Sequence, residues 1–381
     1  MTISELFNVI VTQPSQDIYK QSKDKWDSIA KPIDGLGDFE EMVSRIAAIR
    51  GQVRPDLSRK AHVIMCADNG VYEEGVSQTS QSVTRDVALL MGERKSSVGI
   101  MAKGYPIDFF VYDVGINSDD KLPGVIDKKV RKGTANFVKE PAMSKVECLA
   151  AIEVGIDAVK SCSDKGYGII STGEMGIGNT TTSTALLCAL KGLEPSAVTG
   201  RGAGLSDEGL QKKIQVIEKG LELHIGSKKD VEPHEETKED IEYHGNDNGS
   251  LEIATREDTF NALRCFGGFD IAGLVGVFIG GAMYHVPVVI DGVISAVAAL
   301  VAERLIPGCK DYMLASHMGR EKGMGSILED LGLKAVIHAN LALGEGTGAI
   351  LLFPMLDMVM NLYSSGTNFE DTVIEQYERF Q

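Results

Sequence analysis

The sequence lacks the features that mark a nucleic-acid-binding, membrane-spanning or disulfide-bonded protein. Its 38 Lys and Arg are outnumbered by 54 Asp and Glu, and the net charge of −16 argues against nucleic acid or an anionic membrane as the main partner. We find no apolar run long enough to span a bilayer, and the first residues lack the basic and apolar regions of a signal peptide. The six cysteines are scattered without metal-ligand spacing, which predicts reduced thiols, a cytoplasmic location and no bound metal.

Short apolar runs alternate with helical stretches along most of the 381 residues. The apolar runs are predicted to be buried parallel strands, at 61–67, 107–114, 168–172, 286–290, 312–315 and 334–337. Before them, residues 15–28 and 39–49 are predicted helices, separated by a Pro/Gly breaker. The pattern predicts an α/β fold with helices covering a parallel sheet. The acid-rich segment 228–258 is predicted to be a solvated insertion, with cation or partner binding as the alternative.

Several predicted strands end in polar or glycine-rich turns, at 68–70, 173–180, 291–292 and 344–346. Ligands of open α/β sheets bind outside the carboxyl ends of the strands, so these turns are expected to meet at one site. Residues 67–77 close the first strand, and the hydroxyl of Ser77 could orient an aromatic substrate. His317 and His338 have no partner pattern and are predicted to be ordinary buried histidines.

The longest glycine-rich turn, Gly-Glu-Met-Gly-Ile-Gly-Asn-Thr-Thr-Thr at 173–182, leads into a predicted helix. Backbone N–H groups at a helix N-terminus bind phosphate, and the threonine hydroxyls add donors. The turn is neither a Walker A loop nor a dinucleotide fingerprint. It is predicted to be a phosphate site; close packing alone is the alternative. A second glycine-rich turn at 199–205 follows, and Arg201 or one of Lys212 and Lys213 could neutralise the phosphate.

Residues 343–348, Leu-Gly-Glu-Gly-Thr-Gly, place one carboxylate among three glycines directly after the last predicted strand. Glycines allow a sharp turn and the close approach of a ligand. A carboxylate beside apolar Leu343 and Ile350 is suited to accept a proton, which makes Glu345 a candidate general base. The alternative is that Glu345 only caps the helix that follows.

Together these motifs resemble the nicotinate-nucleotide:dimethylbenzimidazole phosphoribosyltransferases, which activate the lower ligand of vitamin B12-type cobamides. The resemblance spans nearly the whole chain and rests on residues 31–32, 68–77, 173–182, 200–204, 267–270, 291–292 and 343–348. It implies a Rossmann-like catalytic domain at 51–349, containing the insertion 228–258, and a small helical domain built from 1–50 and 350–381. It also implies a dimer and no cofactor.

The resemblance further implies roles for individual residues. Glu345 would be the general base. The ribose and phosphate of nicotinate mononucleotide would be held by Glu174, Gly176, Gly178, Asn179, Thr180, Gly202 and Lys213. The aromatic acceptor would lie near Ser77, Arg85, Met175 and Leu343, and the nicotinate near Asp291 and Gly319.

Around the acceptor, the chain departs from the commonest pattern of that family. It has Gln-Thr-Ser at 78–80 where many relatives have an aromatic residue and a proline, Arg85 where some have glutamine, and Gly319 where a serine is frequent. The expected reaction transfers phosphoribose from nicotinate mononucleotide to dimethylbenzimidazole or a related base, giving an α-ribotide. Two alternatives stay open: transfer to phenol or p-cresol, with the chain as one subunit of a heterodimer, and a non-catalytic partner subunit.

Overall fold

The computed structural model describes residues 1–225, 243–245, 251–253 and 255–379, so the predicted insertion at 228–258 falls largely outside the described residues. The elements in chain order are α1 Ile3–Phe7, α2 Gln16–Ser28, α3 Asp38–Arg50, β1 Lys60–Ala67, α4 Ser82–Gly92, α5 Ser97–Met101, β2 Ile107–Gly115, β3 Val125–Asp127, α6 Lys145–Asp164, β4 Ile169–Met175, α7 Asn179–Lys191, α8 Pro195–Val198, α9 Asp207–Ile225, β5 Tyr243–Gly245, β6 Leu251–Ile253, α10 Arg256–Phe266, α11 Phe269–Met283, β7 Val288–Ile290, α12 Val293–Leu305, β8 Met313–Ala315, α13 Met324–Leu331 and α14 Thr347–Ser365.

One parallel sheet organises the fold, with strand order β3-β2-β1-β4-β7-β8. Parallel neighbours need crossover connections. Helices supply them everywhere except between β2 and β3, which a loop joins. The chain adds strands outward from β1 to β3, returns to β4 and then adds strands on the other side. The strand order therefore reverses between β1 and β4, and such a reversal opens a crevice at the carboxyl ends of the strands. The predicted α/β class with a parallel sheet is confirmed.

Side chains along β1 alternate between two hydrophobic cores, as the period of a strand requires. Ala61, Val63 and Met65 join the core formed with α6, α11 and α12. Ile64 and Cys66 join the core formed with helices from both ends of the chain. Helices therefore cover both faces of the sheet, and a buried strand such as β1 reads as a nearly continuous apolar run.

The two ends of the chain pack against each other. The rings of Trp26 and Tyr363 lie 4.6 Å apart, and the Tyr363 hydroxyl is 2.7 Å from Ser22 Oγ. Arg379 forms ion pairs of 2.7 Å with both Asp27 and Asp34. Because these helices share a core with β1, the division into a small domain of 1–50 and 350–381 and a catalytic domain of 51–349 stays a prediction.

Helix α14 has the length and apolar composition to cross a membrane, contrary to the expectation that no run does. Half of the apolar stretch of this helix is buried within the protein. Leu352, Phe353 and Leu356 pack into the core beside β1. The opposite side of α14 exposes apolar residues instead.

The strands differ from the sequence predictions at 334–337, at β3, and at β5 and β6, which lie within the predicted insertion. Residues 334–337 were expected to form a strand, but only Ile337 pairs, in an isolated parallel bridge with His317 beyond the end of β8. The run is short and Lys334 is exposed, so it makes an extended segment at the edge of the sheet. Strand β3 was not predicted because it has three residues, of which two are exposed, and so carries no apolar pattern.

Candidate active site

Turns that follow β4, β7 and β8 line one cleft at the carboxyl ends of the strands. It encloses about 420 Å³, open solvent included, and its lining includes Glu174 at the end of β4, Asp291 after β7 and His317 after β8. Leu343 and Gly344, from the turn before α14, and Thr347, its first residue, form another wall. The turn after β1 packs beneath the phosphate turn, because a Cβ added to Gly178 would lie 3.3 Å from the Asn69 Cβ. The glycine-rich turns therefore gather at the carboxyl ends of the strands, beside the position where the strand order reverses between β1 and β4.

The glycines of the predicted phosphate turn have steric reasons to be glycine. A Cβ on Gly176 would lie 2.4 Å from the Ala67 carbonyl oxygen, so no side chain fits there. Gly178 has φ +96° and is the N-cap of α7. Helix α7 then begins at Asn179, and its first turn faces the cleft through Thr180. The turn thus presents the N-terminus of a 13-residue helix toward the cleft.

A buried lysine lies beside this helix start. Lys213, on α9, is only 1% exposed, and its Nζ donates to Thr180 Oγ1 at 2.8 Å and to the Gly200 carbonyl at 3.2 Å. Lys213, Thr180 and Gly202 line a second, smaller cavity that shares Thr180 and Glu321 with the cleft. Burial lowers the pKa of Lys213 to about 8. An anion in this cavity would therefore restore the favourable environment that burial removes from the ammonium group.

The other two residues that could have neutralised the phosphate, Arg201 and Lys212, contact other groups. Arg201 forms an exposed ion pair with Asp207 and donates to the Leu205 carbonyl at 2.9 Å. Lys212 lies next to Gly75, at 2.9 Å from the position of an added Cβ. Among the three candidates, Lys213 is the one that the structure brings to the helix start.

Glu174 is a buried carboxylate at the bottom of the cleft. Asn179 donates through its Nδ2 to the Glu174 carboxylate and, at 3.0 Å, to Asp270 Oδ2. Burial, reinforced by the charges of Asp270, Asp291 and Glu345 and opposed by the Asn179 hydrogen bond, raises the pKa of Glu174 to about 8. Glu174 can therefore donate a hydrogen bond at neutral pH as well as accept one, which suits contact with sugar hydroxyls.

The turn that carries Glu345 has an unusual backbone. Gly344, Glu345 and Gly346 have φ values of +87°, +61° and +82°. For glutamate this conformation costs about 1–2 kcal/mol and needs support from the surrounding structure. That support includes a hydrogen bond of 2.9 Å from the Val98 N–H to Glu345 Oε2. It also includes a hydrogen bond of 2.9 Å between His62 Nε2 and the Glu345 carbonyl oxygen.

The alternative that Glu345 caps α14 is wrong. Its carboxylate accepts from Val98 at the start of α5, and the N-cap position of α14 is Gly346, which has no side-chain hydrogen bond. Asp291 Oδ1 instead accepts from the Ala349 N–H at 3.0 Å and so satisfies the first turn of α14. Glu345 is consequently a half-buried carboxylate whose position is fixed independently of the helix it precedes.

His62 is a site residue that sequence reasoning missed. It is fully buried in β1, and its Nδ1 is 2.8 Å from Ser171 Oγ on β4. The available signal was a polar residue inside an otherwise apolar predicted strand. His317 is buried as predicted and is 2.9 Å from Ser316 Oγ, whereas His338 is exposed, contrary to prediction.

The predicted acceptor side is less enclosed. Leu343 lines the cleft and is 56% exposed, and Met175 is half-buried at the end of β4. Ser77 Oγ lies 3.3 Å from Thr79 Oγ1. The guanidinium of Arg85 is bound by Asp86 and, at 3.1 Å, by Asp120.

Near the predicted nicotinate position, Asp291 lines the cleft. Gly319 lies at its rim, because a Cβ there would be 2.8 Å from Glu321 Oε2 and 3.8 Å from His317 Nε2. Within residues 1–225 and 255–379, no group of three or more His, Cys, Asp or Glu has an arrangement that could hold a metal ion.

Comparisons of the sequence and the structure with known proteins all indicate the same family. The family profile described as Phosphoribosyltransferase matches residues 11–239 and 247–374. The chain is 38% identical to the nicotinate-nucleotide–dimethylbenzimidazole phosphoribosyltransferase of Acetivibrio thermocellus, covering 95% of this chain and 96% of that protein. It is 39% identical to the protein of the same name from Ruminiclostridium cellulolyticum, covering 99% of both. The crystal structure of CobT from Thermus thermophilus superimposes with a TM-score of 0.81 at 32% identity, covering 95% of this chain and 100% of that one.

Proposed function

Because this chain belongs to the phosphoribosyltransferase family of these relatives, we propose that it transfers the 5-phosphoribosyl group of nicotinate mononucleotide to dimethylbenzimidazole or a related cobamide lower-ligand base. Nicotinate is released and an α-ribotide is formed. The observation that carries the proposal is the junction of two features at one cleft. The Lys213 cavity beside α7 meets the turn that carries Glu345, through a lining that includes Thr180 and Gly344.

The reaction requires the protein mainly to position the two reactants and to supply one general base. Nicotinate mononucleotide carries a pyridinium nitrogen, which is already a cationic leaving group and needs no acid. As its bond to the ribose carbon breaks, the acceptor nitrogen bonds to that carbon and its N–H proton passes to Glu345. A well-placed base contributes about 10²- to 10⁴-fold. Holding the reactants about 3–3.5 Å apart supplies much of the remainder.

The donor would be held by its phosphate and its sugar. The phosphate would accept from backbone N–H groups at the start of α7 and from Lys213, whose charge it would neutralise. The ribose hydroxyls would contact Glu174, which lines the cleft between Thr180 and Gly344. The acceptor would lie toward Leu343, on the more exposed side of the cleft.

The proposal is tested by incubating the purified protein with nicotinate mononucleotide and dimethylbenzimidazole, adenine, phenol or p-cresol, and identifying the ribotides by mass. We expect dimethylbenzimidazole ribotide from the wild-type protein, and about 10²- to 10⁴-fold slower formation by Glu345→Gln. Formation of phenolic ribotides alone would favour transfer to phenols. Absence of every product with the pure chain, and its appearance when a homologous chain is added, would favour a non-catalytic subunit.

We also propose that the protein is a homodimer formed through α14. Leu351, Met355, Met358 and Leu362 follow one another at helical spacing on its outer side, and Met358 is 74% exposed. Such a stripe would be covered by the same stripe of a second copy across a two-fold axis. Since α14 begins beside Glu345, the dimer contact would also restrain the turn that carries the proposed base.

Light scattering with Met358→Glu tests the dimer. We expect a monomer for this variant and a dimer for Val146→Glu, which places the same charge on an exposed position of α6. A wild-type monomer that pairs only with a homologous chain would favour the heterodimer. The cytoplasmic location is also a proposal, supported by six cysteines that are all buried and reduced.

A further inference from the structure

His62 lies directly beneath the turn of Glu345. It faces Ser171 across the β1–β4 pair and Phe109 across the β1–β2 pair. Its Nε2 is 2.9 Å from the Glu345 carbonyl oxygen and its Nδ1 is 2.8 Å from Ser171 Oγ. A Cβ on Gly346 would lie 2.0 Å from the His62 Cε1 atom, so the ring fills the space under the turn.

The hydrogen bonds fix which ring nitrogen carries the proton. A carbonyl oxygen can only accept, so Nε2 must be the N–H donor to Glu345. Burial, with a contribution from the charge of Arg94, lowers the pKa of His62 to about 4, so the ring is neutral and carries one proton. Nδ1 is then an acceptor, and the Ser171 hydroxyl donates to it. The direction of donation runs from Ser171 through His62 to the main chain of Glu345.

This chain of donors holds a backbone that is otherwise unfavourable. Glu345 has φ +61° between two glycines that also have positive φ, so its local sequence gives little resistance to other conformations. The Val98 contact restrains only the carboxylate end of the side chain. Without the His62 donor, the Glu345 carbonyl would be left without that partner at the base of the turn.

We propose that Ser171 and His62 form a positioning relay that fixes the turn of Glu345 and thereby sets the distance from its carboxylate to the acceptor. This inference rests on the proposed role of Glu345 as the base. His62 itself touches neither substrate nor the reacting atoms, since its two ring nitrogens are occupied by Ser171 and the Glu345 main chain. It acts through Glu345 alone.

Two amide substitutions separate the two ends of the relay. His62→Gln places an amide N–H near the position of the ring Nε2 and can still donate to the Glu345 carbonyl. His62→Asn places its amide near the position of Nδ1, so it keeps a partner for Ser171 and loses the contact with Glu345. We expect His62→Asn to lower kcat about 10- to 100-fold, because small displacements of a catalytic group have effects of this size. Its KM for nicotinate mononucleotide should stay within about 2-fold, since the phosphate cavity lies on other elements. His62→Gln should keep kcat within about 3-fold of wild type.

The controls distinguish this inference from the proposed function. Glu345→Gln is measured in the same assay: if it stays active, the base assignment fails. If Glu345→Gln is inactive while folded His62→Asn keeps wild-type kcat, or if His62→Asn and His62→Gln lose kcat equally, the relay is wrong. A merely structural role would lower the melting temperature without separating kcat from KM. Should His62→Asn not fold, Ser171→Ala replaces it, with kcat about 2- to 5-fold lower and KM unchanged as the expected result, and unchanged kcat as the result that overturns the relay.

Discussion

The two sides of the cleft are built differently. On the proposed donor side, Lys213, Asn179 and Glu174 are all buried, and hydrogen bonds join Lys213 to Thr180 and Asn179 to Glu174. On the predicted acceptor side, Leu343 is 56% exposed and the Arg85 side chain is 40% exposed. Arg85 is also occupied by two carboxylates of its own surroundings.

This difference has a physical consequence for specificity. A site that aims buried polar groups at a ligand rejects analogues strongly, because a wrong ligand leaves those groups without partners. A half-open apolar wall discriminates by only about 1–3 kcal/mol. We therefore expect strict recognition of the phosphoribosyl donor and loose recognition of the aromatic acceptor.

The largest effect should come from Glu345, the proposed base, whose turn borders the cleft at Gly344. Glu345→Gln keeps the shape of the side chain but cannot take a proton, so transfer should fall by about 10²- to 10⁴-fold. Calorimetry should show nearly unchanged binding of nicotinate mononucleotide, because donor contacts lie elsewhere. Glu329→Gln, at an exposed position of α13, is the matched control and should be fully active. Turnover above about a tenth of wild type would contradict the assignment of the base.

A smaller loss should follow from removing the buried cation. Lys213→Met should weaken binding of nicotinate mononucleotide about 10- to 100-fold, since a charge-assisted hydrogen bond is worth about 1.5–3 kcal/mol. The melting temperature should be equal or higher, because a buried ammonium group is costly without its anion. Lys212→Met provides the matched control and should change affinity less than about 2-fold. Equal effects of the two variants would remove Lys213 from the phosphate site.

The donor side should also respond to pH. Since burial lowers the pKa of Lys213 to about 8, the ammonium group is charged below pH 8 and loses its proton above it. A bound phosphate favours the charged form, so affinity for nicotinate mononucleotide should fall as pH rises from about 8 to about 9.5, with proton uptake on binding. Calorimetry in buffers of different ionisation enthalpy measures both quantities. A slope that persists unchanged in Lys213→Met would assign the effect to another group, with Glu174, whose pKa is about 8, the first candidate.

The strands and turns on the proposed donor side were also the part of the structure that sequence could predict. These strands are continuous apolar runs, and the glycines of the turns have local causes, such as the positive φ of Gly178. The phosphate turn and the turn of Glu345 were therefore visible as motifs. That both adjoin one cleft follows from their positions after strands of a parallel sheet.

What sequence could not supply are contacts between distant segments. The cap of α14 by Asp291 joins residues far apart in the chain, as does the contact of His62 with Glu345. The same holds for Arg85 on α4, whose partner Asp120 lies in the loop between β2 and β3. The predicted strand at 334–337 was wrong, because a short apolar run does not distinguish a paired strand from an extended segment at the edge of the sheet.

The smallest effect is expected on the acceptor side, from Arg85→Ala. Its guanidinium is held by Asp86 and Asp120 in exposed ion pairs, which are worth little, so kcat/KM for dimethylbenzimidazole should change less than about 3-fold. Competition between dimethylbenzimidazole and phenol at equal concentration then measures how selective the acceptor side of the cleft is. We expect a preference of no more than about 10- to 200-fold, as an apolar site with few directional contacts gives. A preference above about 10⁴-fold would require a dedicated recognition group. If that preference collapsed in Arg85→Ala, Arg85 would be that group, and its ion pairs would have to open when the acceptor binds.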